Sequence, residues 1–285
     1  MAVQSRGRRL EKPASDTSRI AIHLIQCMLS KTKTFSSKLR RCAALLCAAS
    51  FALCAQAADL TVSAAASLTN VFKELGPAFE AQNRGATVIF NFGASDGLMT
   101  QIAKGAPVDV FASADEQLMD RAEAQKLVIP GSRRNFVSNS LVMIVPVDSA
   151  LGLKALVDLR RPEVKRVAIG NPASVPVGRY AKTALQAVDL WTVVESKAVT
   201  AQTPRQALDY VARGEVEAGL VYSTDAAVMK DKVKIAANVA IATPILYPIA
   251  VVNQSPNGAV ARRFIEFLSS PTARLVLARH GFGQP

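Results

Sequence analysis

Short apolar runs alternate with stretches of helical apolar spacing along most of this chain, and this alternation constrains its fold more than any other feature. Apolar residues at helical spacing lie between Leu68 and Phe79, and the run 141–146 is apolar throughout, as is typical of a strand buried on both faces. Such alternation predicts an α/β fold whose sheets are mostly parallel and flanked by helices. Because the pattern restarts at Val167, we expect two lobes.

We expect the chain to cross between the lobes near Asn139 and again near Tyr247. Lobe 1 then has a first part at 58–138 and a return segment at 247–285, with lobe 2 at 139–246. Two local signals accompany this division. Gly76-Pro77 predicts a kink or break in the first helix, since proline lacks an NH group. Ser113 or Asp115 is expected to cap the helix that follows the third strand.

The N-terminal segment has the pattern of a secretory signal peptide. Basic residues between 31 and 41 precede an apolar run, 42–54, and the cleavage pattern Ala55-Gln56-Ala57. The run is shorter than the roughly 20 residues that a membrane-spanning helix needs. We therefore expect cleavage after Ala57 and a periplasmic protein. Residues 1–27 precede an alternative start at Met28 and form an N-terminal extension.

Cleavage at this point would change the composition of the protein. All four cysteines lie before Ala58, so the remaining 228 residues have neither disulfide nor thiol chemistry. Of the 34 Lys and Arg residues 10 precede Ala58, and of the 22 Asp and Glu residues 2 do, which leaves a net charge of +4. We find no concentrated basic stripe, and we therefore expect no nucleic-acid partner.

Two of the apolar runs end in small residues followed by a serine that opens a predicted helix. These serines are Ser67, after Ala64-Ala65-Ala66, and Ser95, after Gly93-Ala94. The first turn of a helix leaves NH groups without partners and carries partial positive charge, so two such openings can hold one oxyanion. For either serine alone, an ordinary N-cap is the simpler interpretation.

The chain after Ala57 offers little for catalysis. Its one histidine, His280, lies near the C-terminus, where a role at a helix end is the simpler interpretation. No cluster has metal-ligand spacing, and no phosphate loop of the P-loop type is present. The candidate acids Asp96, Asp109, Asp115 and Asp225 could pair as acid and base, but for those in loops and at helix starts a helix cap is the default interpretation. We predict a protein that is not an enzyme, with no catalytic residues, no cofactor and no metal site.

Four segments carry a resemblance to a known family, namely residues 64–69, 105–115, 175–182 and 219–226. Together they resemble the periplasmic molybdate-binding proteins of ABC importers, which have the type II periplasmic binding protein fold. The resemblance runs from about Asp59 to the C-terminus. It implies a two-lobed, monomeric protein that closes over molybdate, and also over tungstate, and delivers the anion to a membrane permease.

The resemblance also implies the ligand contacts. Ser67 and Ser95 would donate through their hydroxyl and backbone NH groups, Val177 through its backbone NH, and Tyr222 through its phenol. The remaining family contact, a backbone NH, falls on Pro204, which has none. Thr203-Pro204-Arg205-Gln206 fits a stable helix start with a capping box. The missing donor could be the NH of Arg205 or Gln206, or the Arg205 side chain.

Three alternatives remain open at this stage. The ligand could be another tetrahedral oxyanion such as sulfate, which cavity size would have to discriminate from molybdate. It could be a ferric ion, although iron carriers of this shape tend to use paired tyrosines and no two tyrosines here are adjacent. The third is a secreted hydrolase with Ser67 or Ser95 as nucleophile, for which the chain lacks a credible base.

Overall fold

The computed structural model describes residues 58–285, which form two five-stranded sheets flanked by helices. The predicted signal segment, the N-terminal extension and the four cysteines lie outside these residues. The first sheet has the order β2-β1-β3-β10-β4, and the second has the order β7-β6-β8-β5-β9. The predicted two-lobed α/β fold is therefore confirmed.

The strands of the first sheet are β1 (Ala58–Ala65), β2 (Ala86–Gly93), β3 (Val110–Ala112), β4 (Arg134–Asn139) and β10 (Ile245–Val251). Those of the second are β5 (Leu141–Pro146), β6 (Val167–Gly170), β7 (Ala198–Ala201), β8 (Ala218–Tyr222) and β9 (Val233–Val239). Each sheet is mixed. β1 pairs in parallel with β2 and β3, and β6 does so with β7 and β8. β10 and β5 are antiparallel to their neighbours, because each enters its sheet directly from the other lobe.

Nine α-helices connect these strands: α1 (Thr69–Gln82), α2 (Ser95–Ala103), α3 (Glu116–Ala124), α4 (Pro176–Gln186), α5 (Trp191–Glu195), α6 (Pro204–Ala212), α7 (Ser223–Ala226), α8 (Gly258–Phe267) and α9 (Pro271–Arg279). Short 3-10 turns lie at Ala66–Leu68, Leu156–Arg160 and Ala227–Met229. Within residues 58–285, every helix is too short or too polar to cross a membrane.

The chain passes between the sheets at two points. The first lies between the end of β4 at Asn139 and the start of β5 at Leu141, and the second lies between the end of β9 at Val239 and the start of β10 at Ile245. β5 is an interior strand of the second sheet, and its residues Leu141 to Val145 are all buried, as its apolar run predicts.

The prediction that the first helix breaks at Gly76-Pro77 is wrong, because α1 continues from Thr69 to Gln82. An interior proline costs a helix about 3 kcal/mol. The apolar face of α1 offsets this, since Phe72 and Phe79 are fully buried and each contributes about 1.5 to 3 kcal/mol. Both rings also meet Phe264 edge to face. Gly76 lets the helix approach the sheet, since a Cβ there would lie 2.7 Å from Cε2 of Phe90.

A second close approach fixes the start of α4. A Cβ on Gly178 would lie 2.0 Å from the carbonyl oxygen of Gly170, so only glycine allows α4 to begin directly against the end of β6. Because the obstructing atom belongs to the backbone, it cannot move aside as a flexible side chain would.

We expect Gly178→Ala to lower the free energy of unfolding by about 2 kcal/mol or more, since the added methyl group must displace backbone. Urea unfolding followed by circular dichroism measures this. The matched control is Gly258→Ala at the start of α8, where an added Cβ meets nothing within 4 Å. Equal stability of the two variants would contradict the close approach of α4 to β6.

Candidate functional site

Ser67 and Ser95 lie at the starts of two helical segments but cap neither of them. Ser67 lies in the turn Ala66–Leu68 directly after β1, and Ser95 is the first residue of α2 directly after β2. No side-chain cap bond forms at either start, so the N-cap interpretation of both serines is wrong. Both serines are buried, with 2% and 1% exposure, and their hydroxyls face other partners.

These partners are Tyr247 for Ser67 and Ala114 for Ser95. The Oγ atom of Ser67 lies 2.9 Å from the Oη atom of Tyr247. The Oγ atom of Ser95 accepts a hydrogen bond of 3.2 Å from the backbone NH of Ala114. A buried hydroxyl that accepts from the protein still has its own proton to donate. Ser95 can therefore offer an OH group to a ligand, and Ser67 can do so when Tyr247 is the donor of their shared bond.

Tyr222, the last residue of β8, lies beside the serines. Its hydroxyl donates a long hydrogen bond of 3.4 Å to the carbonyl oxygen of Ala114, across the junction between the lobes. Its ring packs edge to face on Tyr247, with 5.7 Å between the ring centroids. Burial raises the pKa of both Tyr222 and Tyr247 well above the ordinary value of 10, so both remain protonated phenols.

Arg179 of α4 connects the second lobe to two carboxylates of the first. Its Nε donates to Oδ2 of Asp115 at 2.8 Å, and its Nη2 forms an ion pair of 2.9 Å with Oδ2 of Asp96. Asp115 also caps α3 by accepting from the NH of Leu118, which confirms one of the two predicted caps. Since Asp96 directly follows Ser95, this cluster holds the start of α4 next to the start of α2.

Val177 is the second residue of α4, after Pro176, and its side chain is fully buried. Its backbone NH has no acceptor within the described part of the chain. The next two NH groups, of Gly178 and Arg179, both donate to the carbonyl of Val175. The Val177 NH is therefore a free donor at a helix start, where partial positive charge favours an anion.

Pro204 begins α6 and is buried. Half of the predicted capping box is present: the Thr203 hydroxyl accepts from the NH of Gln206, but the side-chain oxygen of Gln206 accepts from the NH of Gln202, one residue before the N-cap. Of the three candidate replacement donors, the NH of Gln206 is used by the cap, and the Arg205 side chain is paired with Asp225 through its Nε, which donates to Oδ1 at 2.5 Å. The Arg205 backbone NH has no acceptor among residues 58–285.

Asp225 is fully buried in α7, three residues after Tyr222. Burial raises its pKa to about 6, while the adjacent Arg205 guanidinium acts in the opposite direction. The carboxylate is therefore largely ionised at neutral pH and neutralises Arg205. α6 in turn contacts the turn Ala66–Leu68, which brings the Pro204 corner close to Ser67.

The other sequence candidates lie elsewhere or have structural partners. His280 contacts Oε2 of Glu74 at 2.8 Å and neither serine, so the expected role at a helix end fits its position directly after α9. Asp109 accepts from the NH of Thr61 and the hydroxyl of Ser255. Among residues 58–285 no three metal-ligating side chains come together. The junction therefore gathers OH and NH donors, and its carboxylates Asp96, Asp115 and Asp225 are paired with arginines.

Sequence reasoning missed Tyr247, Asn139 and Ala114 as parts of this junction. Asn139 donates from Nδ2 to Oη of Tyr247 at 3.1 Å and to Oγ1 of Thr224 at 2.9 Å. Tyr247 is 180 positions from Ser67, so no local pattern could have paired them. The predicted crossings near Asn139 and Tyr247 were the one available signal, because residues at a crossing lie close to both lobes.

Comparison with known proteins places this geometry in a family. The family model for bacterial extracellular solute-binding proteins matches residues 60–283. The molybdate-binding protein ModA of Escherichia coli is 36% identical over 78% of this chain and 88% of its own. ModA of Haemophilus influenzae is 34% identical over 80% and 91%.

A solved structure agrees with this placement. The periplasmic molybdate-binding protein of Azotobacter vinelandii superimposes with a TM-score of 0.70 and 25% identity, and covers 79% of this chain and 99% of its own. Two mixed sheets joined by two crossings, with free helix starts between them, fit the matched family. The chain belongs to the bacterial extracellular solute-binding proteins.

Proposed function

We propose that this protein captures molybdate, and also tungstate, in the periplasm and delivers it to the membrane permease of an ABC importer. The observation that carries the proposal is the meeting of free OH and NH donors at one junction. Ser67 and Ser95 offer hydroxyls there and Val177 offers a backbone NH, while Tyr222 offers its hydroxyl in exchange for its long bond of 3.4 Å to Ala114.

The charge of the site favours a fully ionised oxyanion. Both guanidinium groups near the junction are neutralised by buried carboxylates. Arg179 is paired with Asp115 and Asp96, and Arg205 is paired with Asp225. The ligand must then be held by neutral dipoles, which can replace the hydration of a dianion in a closed, low-dielectric cleft. Neither a cofactor nor a resident metal ion is needed for this. The named relatives, which bind molybdate, support the same ligand here.

At the Pro204 corner we assign the missing contact to the backbone NH of Arg205. Pro204 itself has no NH, Gln206 has given its NH to the cap, and the Arg205 side chain is paired with Asp225. The proline thus moves the donor by one residue along the first turn of α6, where the partial positive charge is still present.

The proposal also includes the lobe boundaries, the start of the mature protein and its oligomeric state. Lobe 1 comprises 58–138 and 247–285, lobe 2 comprises 139–246, and the mature protein begins at Ala58 and acts as a monomer. The loss of 1–57 at export would leave the sheets intact, since the first strand begins at Ala58.

The alternatives fit the junction less well. Tyr222 and Tyr247 do meet in space, but among residues 58–285 no group of three His, Cys, Asp or Glu side chains accompanies them as further ligands for a ferric ion. A hydrolase would need a base beside Ser67 or Ser95, and His280 is paired with Glu74. Sulfate has the charge and shape of molybdate, so discrimination between the two must come from their difference in size.

We expect sodium molybdate to give saturable heat in calorimetry with the 58–285 protein at micromolar concentration. Ser67→Ala and Ser95→Ala should each raise Kd about 10- to 100-fold, because each removes one hydrogen bond to a charged ligand. Tungstate should bind comparably, sulfate more weakly, and phosphate not at all, since its proton would face a donor.

The matched control is Ser132→Ala, a buried serine whose hydroxyl contacts Ile129 and Val251 at the other end of the first sheet. It should change the Kd for molybdate less than twofold. Absence of heat from the wild-type protein, or equal losses in all three serine variants, would refute the proposal.

Closure of the lobes gives a separate prediction. Arg179→Met should weaken molybdate binding about tenfold, because it leaves Asp115 without a cation and Asp96 with Arg121 alone when the lobes meet. Small-angle scattering of the ligand-free variant should show a larger radius of gyration than that of the wild-type protein. The control is Arg121→Met, because Arg121 binds Asp96 from within the first lobe. An equal effect of both substitutions would contradict a role of Arg179 in closure.

A further inference from the structure

We propose that Asn139 and Tyr247 form a polarised hydrogen-bond relay that fixes the direction of the Ser67 hydroxyl, so that Ser67 directs its proton at the ligand. Tyr247 and Asn139 are thus positioning residues for anion selection. The inference rests on the proposed function, since it concerns how the same site recognises an oxyanion.

The orientation of the Asn139 amide is set by a group that can only donate. The backbone NH of Ser140 donates to Oδ1 of Asn139 at 2.9 Å, and the hydroxyl of Ser223 donates to the same oxygen at 3.0 Å. The oxygen position is thereby fixed, and the other end of the amide must be Nδ2. Its two hydrogens go to Oη of Tyr247 and Oγ1 of Thr224.

The orientation of the Asn139 amide determines the direction of the hydrogen bond between Asn139 and Tyr247. Because Nδ2 cannot accept, the Tyr247 oxygen is the acceptor of the Asn139 bond. Tyr247 is fully buried, and Ser67 is the one acceptor that its hydroxyl contacts within residues 58–285. A buried hydroxyl proton left without an acceptor costs about 1 to 3 kcal/mol, so Tyr247 donates to Oγ of Ser67. The high pKa of Tyr247 keeps this proton in place.

Ser67 therefore accepts from Tyr247 and retains its own proton for the ligand. Ser95 also retains its proton for the ligand, because the backbone NH of Ala114 can only donate to its Oγ atom. Ala114 also accepts from Tyr222 through its carbonyl oxygen, so one residue of the first lobe orients Ser95 and contacts the tyrosine of the second. Both serines then oppose any oxyanion oxygen that carries a proton.

A double-mutant cycle tests this relay. Tyr247→Phe keeps the ring and removes the hydroxyl, and it should raise the Kd for molybdate about tenfold in the wild-type background. In the Ser67→Ala background the same substitution should change Kd less than twofold, because the oriented hydroxyl is already gone. In the Ser95→Ala background the full tenfold effect should remain. Calorimetry provides each Kd.

The ligand preference provides a second readout that a purely structural role would not change. Without Tyr247 as donor, the oxygen of Ser67 is free to accept from hydrogen phosphate. The preference for molybdate over phosphate should therefore fall at least about tenfold in Tyr247→Phe. Asn139→Ala, which removes the preceding link, should show the same dependence on Ser67. Tyr210→Phe is the control, since Tyr210 accepts from Gln206 on α6 and lies outside the relay.

Two outcomes separate failure of the relay from failure of the proposed function. If wild-type protein binds molybdate and Tyr247→Phe weakens binding equally in the Ser67→Ala and Ser95→Ala backgrounds, the relay is wrong and the function stands. If wild-type protein binds none of molybdate, tungstate and sulfate, both are overturned. Thermal melting of every variant identifies any loss of folding, and Asn139→Ala replaces Tyr247→Phe if that variant is unfolded.

Discussion

Asp96 and Asp115 of the first lobe share the guanidinium of Arg179 from the second lobe, with 8% and 3% of their surface exposed. Removing one partner from a buried ion pair typically costs about 3 to 5 kcal/mol, because the remaining charge is left uncompensated. Contact between the lobes is therefore coupled to this pairing. The pairing also aligns the starts of α2 and α4, which carry the free donors. The donors of α2 and α4 therefore form one site when Arg179 is paired with Asp96 and Asp115.

The same pairing determines which groups remain for a ligand. Arg179 and Arg205 are both held by carboxylates, so neither guanidinium is free to bind an anion as a simple counter-ion. What remains is a set of OH and NH dipoles whose other hydrogen-bonding capacity is used inside the protein. Such preoriented dipoles need little reorganisation when an anion enters, and they discriminate by the protonation state of the ligand as well as by its charge. The fold supplies this environment by bringing four helical starts, those of the turn Ala66–Leu68 and of α2, α4 and α6, to a junction between two sheets.

Much of the fold could be predicted from local patterns. Apolar runs and helical spacing located most of the strands and helices, and the continuous run 141–146 marked an interior strand. The prediction of a helix break at Pro77 was wrong because the helix propensity of proline was considered without the tertiary packing of the helix. The burial of Phe72 and Phe79 and the close contact between Gly76 and Phe90 sustain the helix, and these depend on residues far along the chain.

The site could be predicted only in part. Ser67 and Ser95 follow strands directly, so their positions at a sheet edge were visible in the sequence. Their hydrogen-bond partners were not, because Tyr247 and Ala114 are distant in sequence or act through the backbone. The argument that no two tyrosines are adjacent also missed the contact between Tyr222 and Tyr247, which forms only when the two lobes meet.

The central claim is that neutral donors with fixed protons hold a fully ionised oxyanion. Calorimetry of molybdate binding at pH 7.5 in buffers of different ionisation enthalpy tests it most directly, because it counts the protons exchanged on binding. The account predicts no net proton exchange, since every donor already carries its proton and the ligand carries none. Uptake of close to one proton, as protonation of Asp225 with its pKa of about 6 would require, would contradict it.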